Sequence, residues 1–482
     1  MRLPNYSATT PFRIFKPILA LSLFFTCGCL TAQSTGETST AEEPETIHLT
    51  ESLLPRDFRE TIQEAKEKVF PAVVFIHCIS KSFLEGKASK QVVSGSGVII
   101  SENGEVLTNW HVVDNATEVR CLLSDGRSAP ARVIGTDKDM DIALLQIEGA
   151  DGAVSWPHAQ LGESSRLSEG DFVMAMGAPW GLSRSVSIGI ISCKDRYLPG
   201  VSEYHLWMQT DAAISPGNSG GPLVDTEGWV VGINTLGIPD GGDTGFAIPS
   251  STIRQILPIL RERGHLDWSY SGIELQALTD FNRNIYFDAD TGVMVASTDN
   301  HSPAKSSGIQ AGDRILSIGG SPVKAISEEQ LPEIRRMIGL LPSEESITLE
   351  IDRHGTPVSK TVVLHKKGSV KGEELDCPRW DFTAKSINRF DTPDLYFRQP
   401  EGVFVLGVKY PGNAGRSGLV PRDILIQIDN VTIKTLEDIR AVHAQAMEKN
   451  PGERRSVVIV LRSGQRRQIV LDYSMDHNAP QS

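Results

Sequence analysis

The sequence predicts a mainly β protein, in which a β-sandwich or a pair of β-barrels is followed by two copies of a smaller module. Short β-branched runs separated by turns follow one another from Ala72 to Pro249, with no helical stretches between them. This density of strands is typical of sandwiches and barrels rather than of α/β sheets. The second half of the chain contains an internal repeat, which indicates two copies of one module.

The composition is that of a soluble globular chain. Its 482 residues are 40% hydrophobic and 22% charged, enough to bury several cores, and the length predicts about three domains. The net charge of −13 argues against a nucleic-acid partner, which would require a basic surface. The six cysteines contain no C-x-x-C pair, so no metal site is predicted. In an oxidising compartment, Cys78 and Cys121 could form a disulfide, which the sequence alone does not establish.

The N-terminal residues 1–32 are typical of a secretory signal, with basic residues before a short apolar run. Within "FTCGC", Gly28 precedes Cys29 as in a bacterial lipobox, so Cys29 is a candidate site of lipidation. The alternative is ordinary cleavage after Ala32. Either route places the protein outside the cytoplasm. Residues 33–55 are rich in Thr, Ser and Glu and predict a flexible acidic linker.

Two helical segments bracket the strand-rich region. "RDFRETIQEAKEKV" has its apolar residues at helical spacing and ends before Pro71. "SSTIRQILPILRERG" follows the last strand, and Gly264 is its predicted stop. The first domain is therefore expected over residues 56–264.

The repeat defines the rest of the chain. "GVMVASTDNHSPAKSSGIQAGDRILSIGGSPV" begins at Gly292, and "GVFVLGVKYPGNAGRSGLVPRDILIQIDNVTI" begins at Gly402, an offset of 110 residues. Apolar and glycine positions recur in step along both copies. Two modules are predicted, over residues 266–368 and 376–474, followed by a tail over 475–482.

The stretch "AAISPGNSGGPLV" contains a candidate nucleophile, Ser219. Gly217 to Gly221 also match G-x-S-x-G, the turn that joins a strand to a helix in α/β-hydrolases. Pro222 follows, however, and the next residues continue as strands rather than as a helix. The sequence context therefore disfavours the α/β-hydrolase interpretation.

A nucleophilic serine needs a base to take its proton and an acid to orient that base. His111 at the end of "VLTNWHVV" is a candidate base, and Asp141 in "TDKDMDIALLQI" is a candidate acid, with Asp137 and Asp139 as competing loop carboxylates. The order His111, Asp141, Ser219 is that of chymotrypsin. The first two residues then come from one barrel and the serine from the next.

The glycines around Ser219 suit an oxyanion hole, whose backbone amides must point to one place from a tight loop. Gly217 and Ser219 are the expected donors, and Asn218 between them is expected to shape the loop.

At this point the sequence resembles a known family. "GSGVII", "VLTNWHVV", "TDKDMDIALLQI", "QTDAAISPGNSGGPLV" and "GFAIP" closely resemble the HtrA/Deg family of trypsin-like serine proteases, and the repeated modules resemble its PDZ domains. The resemblance covers Arg56 to Tyr473. It implies a chymotrypsin-like double β-barrel followed by two PDZ-like modules.

The same resemblance implies the role of each candidate residue. His111 is the general base, Asp141 its orienting partner and Ser219 the nucleophile. Two positions depart from the family pattern: Trp110 stands where a small or polar residue is usual, and Ser215 replaces a common Asn. Neither removes a catalytic group, although Trp110 is expected to alter the packing beside the base.

PDZ-like domains bind an extended peptide as an added strand and hold its terminal carboxylate on backbone amides. "YSGIEL" resembles the carboxylate-binding loop, with Ser271, Gly272 and Ile273 as candidate peptide-binding residues. At the offset of 110, Gly272 maps to Phe382. Without that glycine, the second module is expected to pack or to make oligomer contacts instead of binding peptide.

A P1 preference can also be predicted. Trypsin-like enzymes that select Lys or Arg carry an acid six residues before the nucleophile, and this chain has Ala213 there. A basic side chain would find no partner at such a site. Cleavage is expected after small or medium aliphatic residues.

The function implied is that of an ATP-independent serine endopeptidase of the cell envelope that degrades or processes misfolded proteins. Expected partners are unfolded polypeptides, C-terminal peptides and other copies of the chain, in trimers or larger assemblies, with a possible lipid tether to a membrane. No cofactor and no metal are expected. Two alternatives stay open: a regulatory sensor protease with one signalling substrate, and a PDZ-based chaperone or scaffold with little proteolysis.

Overall fold

The structure, a computed structural model, describes residues 57–149, 155–178, 184–238, 244–279 and 290–477. The predicted signal with Cys29 and the predicted linker over 33–55 lie outside the described residues, as does most of the tail. Across the described ranges, no helix combines the length and apolar character needed to cross a membrane.

The first barrel is a closed ring of six antiparallel strands in the order β1-β2-β3-β6-β5-β4. A helix α1 (Phe58–Val69) precedes it, and a one-turn helix α2 (Trp110–Val113) follows its third strand. The strands are β1 (Val73–Ser82), β2 (Ser89–Ile99), β3 (Glu105–Thr108), β4 (Ala116–Leu122), β5 (Ser128–Asp137) and β6 (Ile142–Ile147). The helix predicted before Pro71 is confirmed, and the acidic Asp57 caps its first turn.

A second closed barrel follows, with strand order β10-β11-β12-β9-β8-β7. Its strands are β7 (Phe172–Gly177), β8 (Ser185–Arg196), β9 (Trp207–Thr210), β10 (Pro222–Asp225), β11 (Val230–Ile238) and β12 (Thr244–Pro249). The two barrels confirm the mainly β, chymotrypsin-like fold class. Their interiors are filled by apolar side chains of high β propensity.

Helix α3 (Ser250–Arg263) ends at Gly264, as predicted. Gly264 has φ of 77°, a left-handed conformation that glycine adopts without steric cost, and its amide donates to the carbonyl of Leu260. The buried face of α3 packs on strands of both barrels, β5 and β6 of the first and β11 and β12 of the second, and Ile253, Ile256 and Leu260 join their shared core.

The first C-terminal module is an α+β unit whose main sheet has the order β14-β15-β16-β18-β19. Its strands are β13 (Ser269–Tyr270), β14 (Ile273–Gln276), β15 (Val293–Thr298), β16 (Arg314–Ile318), β17 (Ser321–Pro322), β18 (Ser346–Arg353), β19 (Thr356–Val363) and β20 (His365–Lys366). Helices α4 (Pro303–Ser306) and α5 (Leu331–Gly339) complete it. In this sheet β14 is an edge strand, while β13 pairs separately with β20.

The second module repeats this plan, with sheet order β21-β22-β23-β24-β26-β27. Its strands are β21 (Glu374–Cys377), β22 (Phe382–Ser386), β23 (Val403–Val408), β24 (Ile424–Ile428), β25 (Val431–Thr432), β26 (Arg455–Arg462) and β27 (Gln465–Asp472). The helices are α6 (Pro393–Tyr396), α7 (Asn413–Ser417) and α8 (Leu436–Glu448).

The strand register corrects one predicted equivalence between the modules. Ile273 pairs with Thr298 in the first module, and Phe382 pairs with Val408 in the second. Gly272 therefore corresponds to Asp381, not to Phe382, because the chain from Phe382 to its partner Val408 is one residue longer than that from Ile273 to its partner Thr298. Asp381 has φ of 60°, close to the 71° of Gly272, so an aspartate adopts the left-handed conformation there.

The disulfide left open by the sequence does not form. Cys78 and Cys121 are both free and buried. In the register of β1 and β4, Cys78 lies opposite Val119 and Cys121 lies opposite Ile76, so the two cysteines are diagonal neighbours. They act as small apolar core residues, and burial raises the pKa of Cys121 to about 12.

Candidate active site

His111 lies on the one-turn helix α2, which the chain forms directly after β3. Its ring Nδ1 is 2.9 Å from Oδ2 of Asp141 and 3.1 Å from Oδ1, and its backbone amide donates to Oδ1 at 3.1 Å. One carboxylate thus holds both the main chain and the ring of the histidine. The other ring nitrogen is left for a proton from a hydroxyl.

Asp141 sits in the turn between β5 and β6, and its φ of 49° places it in the left-handed region. The competing carboxylates have other partners. Asp137 accepts from the indole Nε1 of Trp268 at 2.8 Å, and Asp139 accepts from the ammonium of Lys367 at 2.8 Å. Of the three carboxylates, Asp141 is the one that the structure places on His111.

Ser219 lies in the loop before β10, within the second barrel. Its Oγ donates to the carbonyl of Thr235 at 3.0 Å, and in the described part of the chain it makes no hydrogen bond to His111. The candidate nucleophile and base therefore come from different barrels and meet between them. A rotation of the serine side chain would be needed to direct its hydroxyl at the histidine.

The loop around Ser219 is fixed by Ser96 of the first barrel. The amide of Ser96 donates to the carbonyl of Ser219 at 2.8 Å, and its hydroxyl donates to the carbonyl of Gly217 at 2.6 Å. The same hydroxyl accepts from the amide of Ala178 at 2.8 Å. A Cβ on Gly220 would lie 2.2 Å from the carbonyl of Ser96, so this contact admits only glycine.

Two amides of this loop are available to a ligand. The amide of Asn218 donates to the carbonyl of Ser215 at 2.9 Å and so shapes the turn. The amides of Gly217 and Ser219 donate to no protein acceptor within the described residues. Gly217 has φ of 103°, which the loop needs to bring its neighbours into this arrangement. The loop thus offers two amide donors, those of Gly217 and Ser219, separated by Asn218, whose own amide shapes the turn.

Sequence reasoning assigned no role to Asn109, which the structure places at the centre of the site. Its buried amide donates to the carbonyl of Asp141 at 3.0 Å and to Oγ1 of Thr235 at 2.9 Å. Asn109 thus joins the turn of the acid to the strand whose carbonyl holds Ser219. The sequence did place Asn109 close to the proposed base, two residues before His111 in "TNWH". Its hydrogen-bond partners, however, are revealed only by the fold.

Burial strongly shifts the ionisation of one acid beside the site. Desolvation, and secondly the charge of Asp139, raise the pKa of Asp137 to about 7, although the Trp268 indole and the Met140 amide donate to it. Another buried group, His205, has its pKa lowered to about 3 by desolvation and by Arg336, so it is neutral. Neither group contacts His111 in the described structure.

The departure at Trp110 has a visible consequence. Its ring lies near two ammonium groups, that of Lys138 at 5.6 Å and that of Lys371 at 6.0 Å from the ring centroid. Lys371 comes from the segment between the two C-terminal modules. Cations within about 6 Å of an indole face are attracted to it. Trp110 therefore connects the helix of the base to residues outside both barrels.

The loop of the first module lines an open cleft of about 290 Å³ between β14 and α5. Ser271 and Gly272 donate no backbone hydrogen bond among the described residues, while the Ile273 amide donates to the hydroxyl of Ser271 at 3.2 Å. Because β14 is an edge strand, its outer edge can accept an added strand.

In the second module the corresponding edge is covered. β21 pairs along β22, from Glu374 opposite Lys385 to Cys377 opposite Phe382. A peptide therefore cannot add to β22 unless β21 leaves. Over the described ranges, no group of three or more His, Cys, Asp or Glu side chains is arranged to hold a metal ion.

Comparison with known proteins agrees with this geometry. A family model described as a trypsin-like peptidase domain matches residues 95–233, and one described as a PDZ domain matches residues 267–351. The chain is 36% identical over 382 residues to a probable periplasmic serine endoprotease DegP-like protein of Pseudomonas fulva, covering 77% of each. It is 33% identical over 363 residues to the periplasmic serine endoprotease DegP of Escherichia coli strain K12, covering 74% of this chain and 73% of DegP.

Among solved structures, the chain is similar to the HtrA-type protease AlgW with a tripeptide. The two share 31% sequence identity with a TM-score of 0.55, and the match covers 63% of this chain and 96% of AlgW. The same protease is also known with a decapeptide.

Proposed function

This chain belongs to the HtrA family of DegP-like serine endoproteases, and on that premise we propose that His111, Asp141 and Ser219 are its catalytic triad. The observation that carries the proposal is the carboxylate of Asp141 at 2.9 Å from Nδ1 of His111. The Ser219 loop, tied to the first barrel through Ser96, supports it. The family assignment and the mainly β double barrel agree with an acyl-transfer site between barrels.

In the proposed mechanism, Ser219 Oγ leaves the carbonyl of Thr235 and attacks the scissile carbonyl carbon. Nε2 of His111 takes the hydroxyl proton and then donates it to the leaving amine. Asp141 keeps the imidazole in the required tautomer and stabilises its charged form. A water molecule, deprotonated by His111, then attacks the acyl group and releases Ser219.

The developing oxyanion is proposed to bind the amides of Gly217 and Ser219, with Asn218 shaping the loop. Both amides are without protein acceptors in the described structure, whereas the Asn218 amide is used in the turn. Donors that are already oriented before the reaction stabilise the transition state more than donors that must reorganise, because no energy is spent on orienting them.

The triad proposal is tested with a fluorophosphonate probe and with unfolded casein. Wild-type protein should be labelled at Ser219 and should cleave casein, and Ser219→Ala should do neither. Labelling at another residue, or cleavage by Ser219→Ala, would refute the assignment. Absence of both activities in a folded wild-type protein would favour the chaperone or scaffold function instead.

The P1 pocket is proposed to accept small or medium aliphatic side chains. Beside Ala213, the side chain of Ile214 lies against Gly245 of β12, and its backbone carbonyl lies against Gly237, the partner of Gly245 on β11. A Cβ on Gly245 would be 2.6 Å from Cδ1 of Ile214, so little space is left at this point. A substrate library should show Val, Ala or Ile at P1, and Ile214→Ala should shift the preference toward larger residues. A profile led by Lys and Arg would contradict this.

The substrates are proposed to be unfolded or misfolded polypeptides, with C-terminal peptides bound at Ser271, Gly272 and Ile273. The relatives are named periplasmic endoproteases, and a relative has been solved with short peptides. Proteins that accumulate on Ser219→Ala in cells distinguish many substrates from the single target of a regulatory protease. One dominant captured protein would favour the regulatory function.

Anchoring and assembly are separate proposals. Named relatives are periplasmic, and the lipobox at Cys29 suggests a lipid anchor in the envelope. Labelling with radioactive palmitate should be lost in Cys29→Ser, and equal labelling would exclude this anchor.

We further propose that the chain forms homo-oligomers, trimers or larger. Light scattering coupled to gel filtration measures them directly, and a monomer at all concentrations would exclude them.

A further inference from the structure

The segment that joins the two C-terminal modules lies against the first barrel beside the loops of His111 and Asp141. This inter-module linker, residues 365–372, comprises the last residues of the first module, with β20, and the residues that follow them. It places two lysines and one carbonyl on those loops. Lys367 contacts Asp139, Lys371 contacts Asp114, and the carbonyl of Val370 accepts from Lys138 at 3.1 Å. The linker therefore contacts both sides of the proposed base–acid pair.

On the acid side, three consecutive residues of the turn before Asp141 are held from outside the barrels. Asp137 accepts from the indole of Trp268, at the start of the first module, and Lys138 and Asp139 are bound by the linker. The turn itself is closed by the amide of Asp141, which donates to the carbonyl of Lys138 at 3.1 Å. Asp141 has a left-handed backbone, which persists only where its surroundings enforce it.

Lys367 is the most constrained contact. Its side chain is 6% exposed, and its ammonium donates to Asp139 Oδ2 at 2.8 Å and to the hydroxyl of Tyr204 at 2.9 Å. The same ammonium lies 4.6 Å from the ring centroid of Tyr204 and 4.9 Å from that of Phe390. Removing one partner of a buried, hydrogen-bonded pair leaves the other charge uncompensated, unlike the loss of an exposed pair.

On the base side, Lys371 donates to Oδ2 of Asp114 at 2.6 Å. Asp114 directly follows the helix α2 that carries His111, and Lys371 and Lys138 both lie near the ring of Trp110. The tryptophan that departs from the family pattern is thus the surface on which the linker lysine packs.

We propose that the inter-module linker is a positioning element of the active site: Lys367, through Asp139, holds the turn that presents Asp141 to His111. Lys371 holds the helix of the base in the same way. Lys367 touches no reacting atom, so it is a positioning residue. The inference rests on the proposed triad, because a turn that carries no catalytic acid has nothing to position.

The test compares Lys367→Gln with Lys366→Gln in the full-length protein. Lys366 is exposed and makes no ion pair in the described structure, so its change removes the same charge from the neighbouring residue. Lys367→Gln should lower kcat about tenfold with KM unchanged, within the loss that misplacing a group by about 1 Å can cause. Lys366→Gln should match the wild type.

Two further readouts separate positioning from loss of structure. The acidic limb of the kcat–pH profile should move to lower pH in Lys367→Gln, because a displaced Asp141 stabilises the charged His111 less. The double variant Lys367→Gln with Asp139→Asn should lose no more activity than either single variant, because both act through one contact. Additive losses, or an unmoved pH limb, would overturn the proposal.

Each outcome has a defined meaning. If wild-type protein is not labelled at Ser219, the proposed triad fails. If wild type is labelled and folded Lys367→Gln is labelled at the same rate, the linker inference fails while the triad stands. Should Lys367→Gln not fold, Lys371→Gln replaces it, because that side chain is 24% exposed and its loss is easier to accommodate. Unchanged kcat in folded Lys371→Gln would then count against the proposal.

Discussion

Asn109 joins parts of the chain that are far apart in sequence. It follows β3, yet its amide donates to the carbonyl of Asp141 and to the hydroxyl of Thr235, and the carbonyl of Thr235 accepts from Ser219. One buried side chain thus connects the segments of the proposed base, acid and nucleophile. Because polar groups in a dry interior must be paired, the fold depends on these bonds as well as on the apolar cores.

Asn109→Ala is expected to lower both stability and activity. The free energy of unfolding should fall by about 1–3 kcal/mol, because the carbonyl of Asp141 loses a buried partner. Casein cleavage should fall as well, since Asp141 and Thr235 are no longer joined. Asn103→Ala, on an exposed turn, is the control and should leave both quantities unchanged. Wild-type activity in Asn109→Ala would show that the bonds do not position the triad.

At the scale of elements, the segment from Asp137, which ends β5, to Asp141, which precedes β6, holds its first and last acids in opposite environments. Asp141 faces the cleft between the barrels, whereas Asp137 is buried beneath the turn and bonded to Trp268. The same five-residue segment therefore contacts the proposed site on one side and the start of the first module on the other. Its geometry couples these two regions.

The buried Asp137 predicts a specific pH dependence of stability. Its pKa is raised from 3.8 to about 7 in the folded protein, so the folded state binds the proton more tightly than the unfolded state. Its stabilising contribution is complete below pH 3.8 and is lost as the pH rises through about 7. Relative to Asp137→Asn, wild-type stability should decline across that window, by at most about 1.4 kcal/mol per pH unit. Urea unfolding at several pH values measures it, and parallel profiles would contradict it.

The strands β14 of the first module and β22 of the second are equivalent, but only β14 has an unpaired edge in the described structure. In the first module, Trp268 packs on Tyr204 with ring centroids 3.9 Å apart and donates to Asp137, so the segment before β14 is held by the barrels and β14 keeps a free edge. In the second module, the preceding segment forms β21 and covers β22. This difference gives a physical basis for unequal peptide binding.

One peptide should therefore bind per chain. Gly272→Ala should abolish binding of a hydrophobic C-terminal peptide, because φ is 71° there and a Cβ would lie 2.2 Å from Cβ of Ser302. Gly312→Ala is the matched control, since Gly312 also has a positive φ but its Cβ would meet nothing within 4 Å. Titration calorimetry gives the stoichiometry, and two sites per chain, or binding retained in Gly272→Ala, would contradict the prediction.

At the scale of the whole molecule, the second module contacts the first barrel through the short connection between β1 and β2. Thr383 donates to the carbonyl of Phe83, and Gly86 packs directly on the backbone of Val408 and Lys409. The second module also reaches the first, where Arg389 pairs with Asp299. The short connection between β1 and β2 is thus a contact between domains.

Gly86→Ala should loosen the second module from the barrel. Its Cβ would lie 2.1 Å from the backbone nitrogen of Lys409, so one of the two segments must move. Gly126→Ala is the control, because that glycine has a comparable positive φ but lies in open space. Small-angle scattering should show a larger radius of gyration for Gly86→Ala alone. Equal radii for the two variants would show that this contact does not hold the module.

The sequence by itself determined the strand-rich barrels, the repeat and the order of His111, Asp141 and Ser219, because alternation, turn residues and local motifs are properties of neighbouring residues. It selected Asp141 through its motif, but it could not assign partners to the competing Asp137 and Asp139, nor find Asn109, nor see that Asp381 takes the place of Gly272. Those outcomes depend on strand register and on contacts such as Lys367 with Asp139, between residues 228 positions apart. Only the tertiary structure decides them, because burial and hydrogen-bond partners are set by the packing of distant segments.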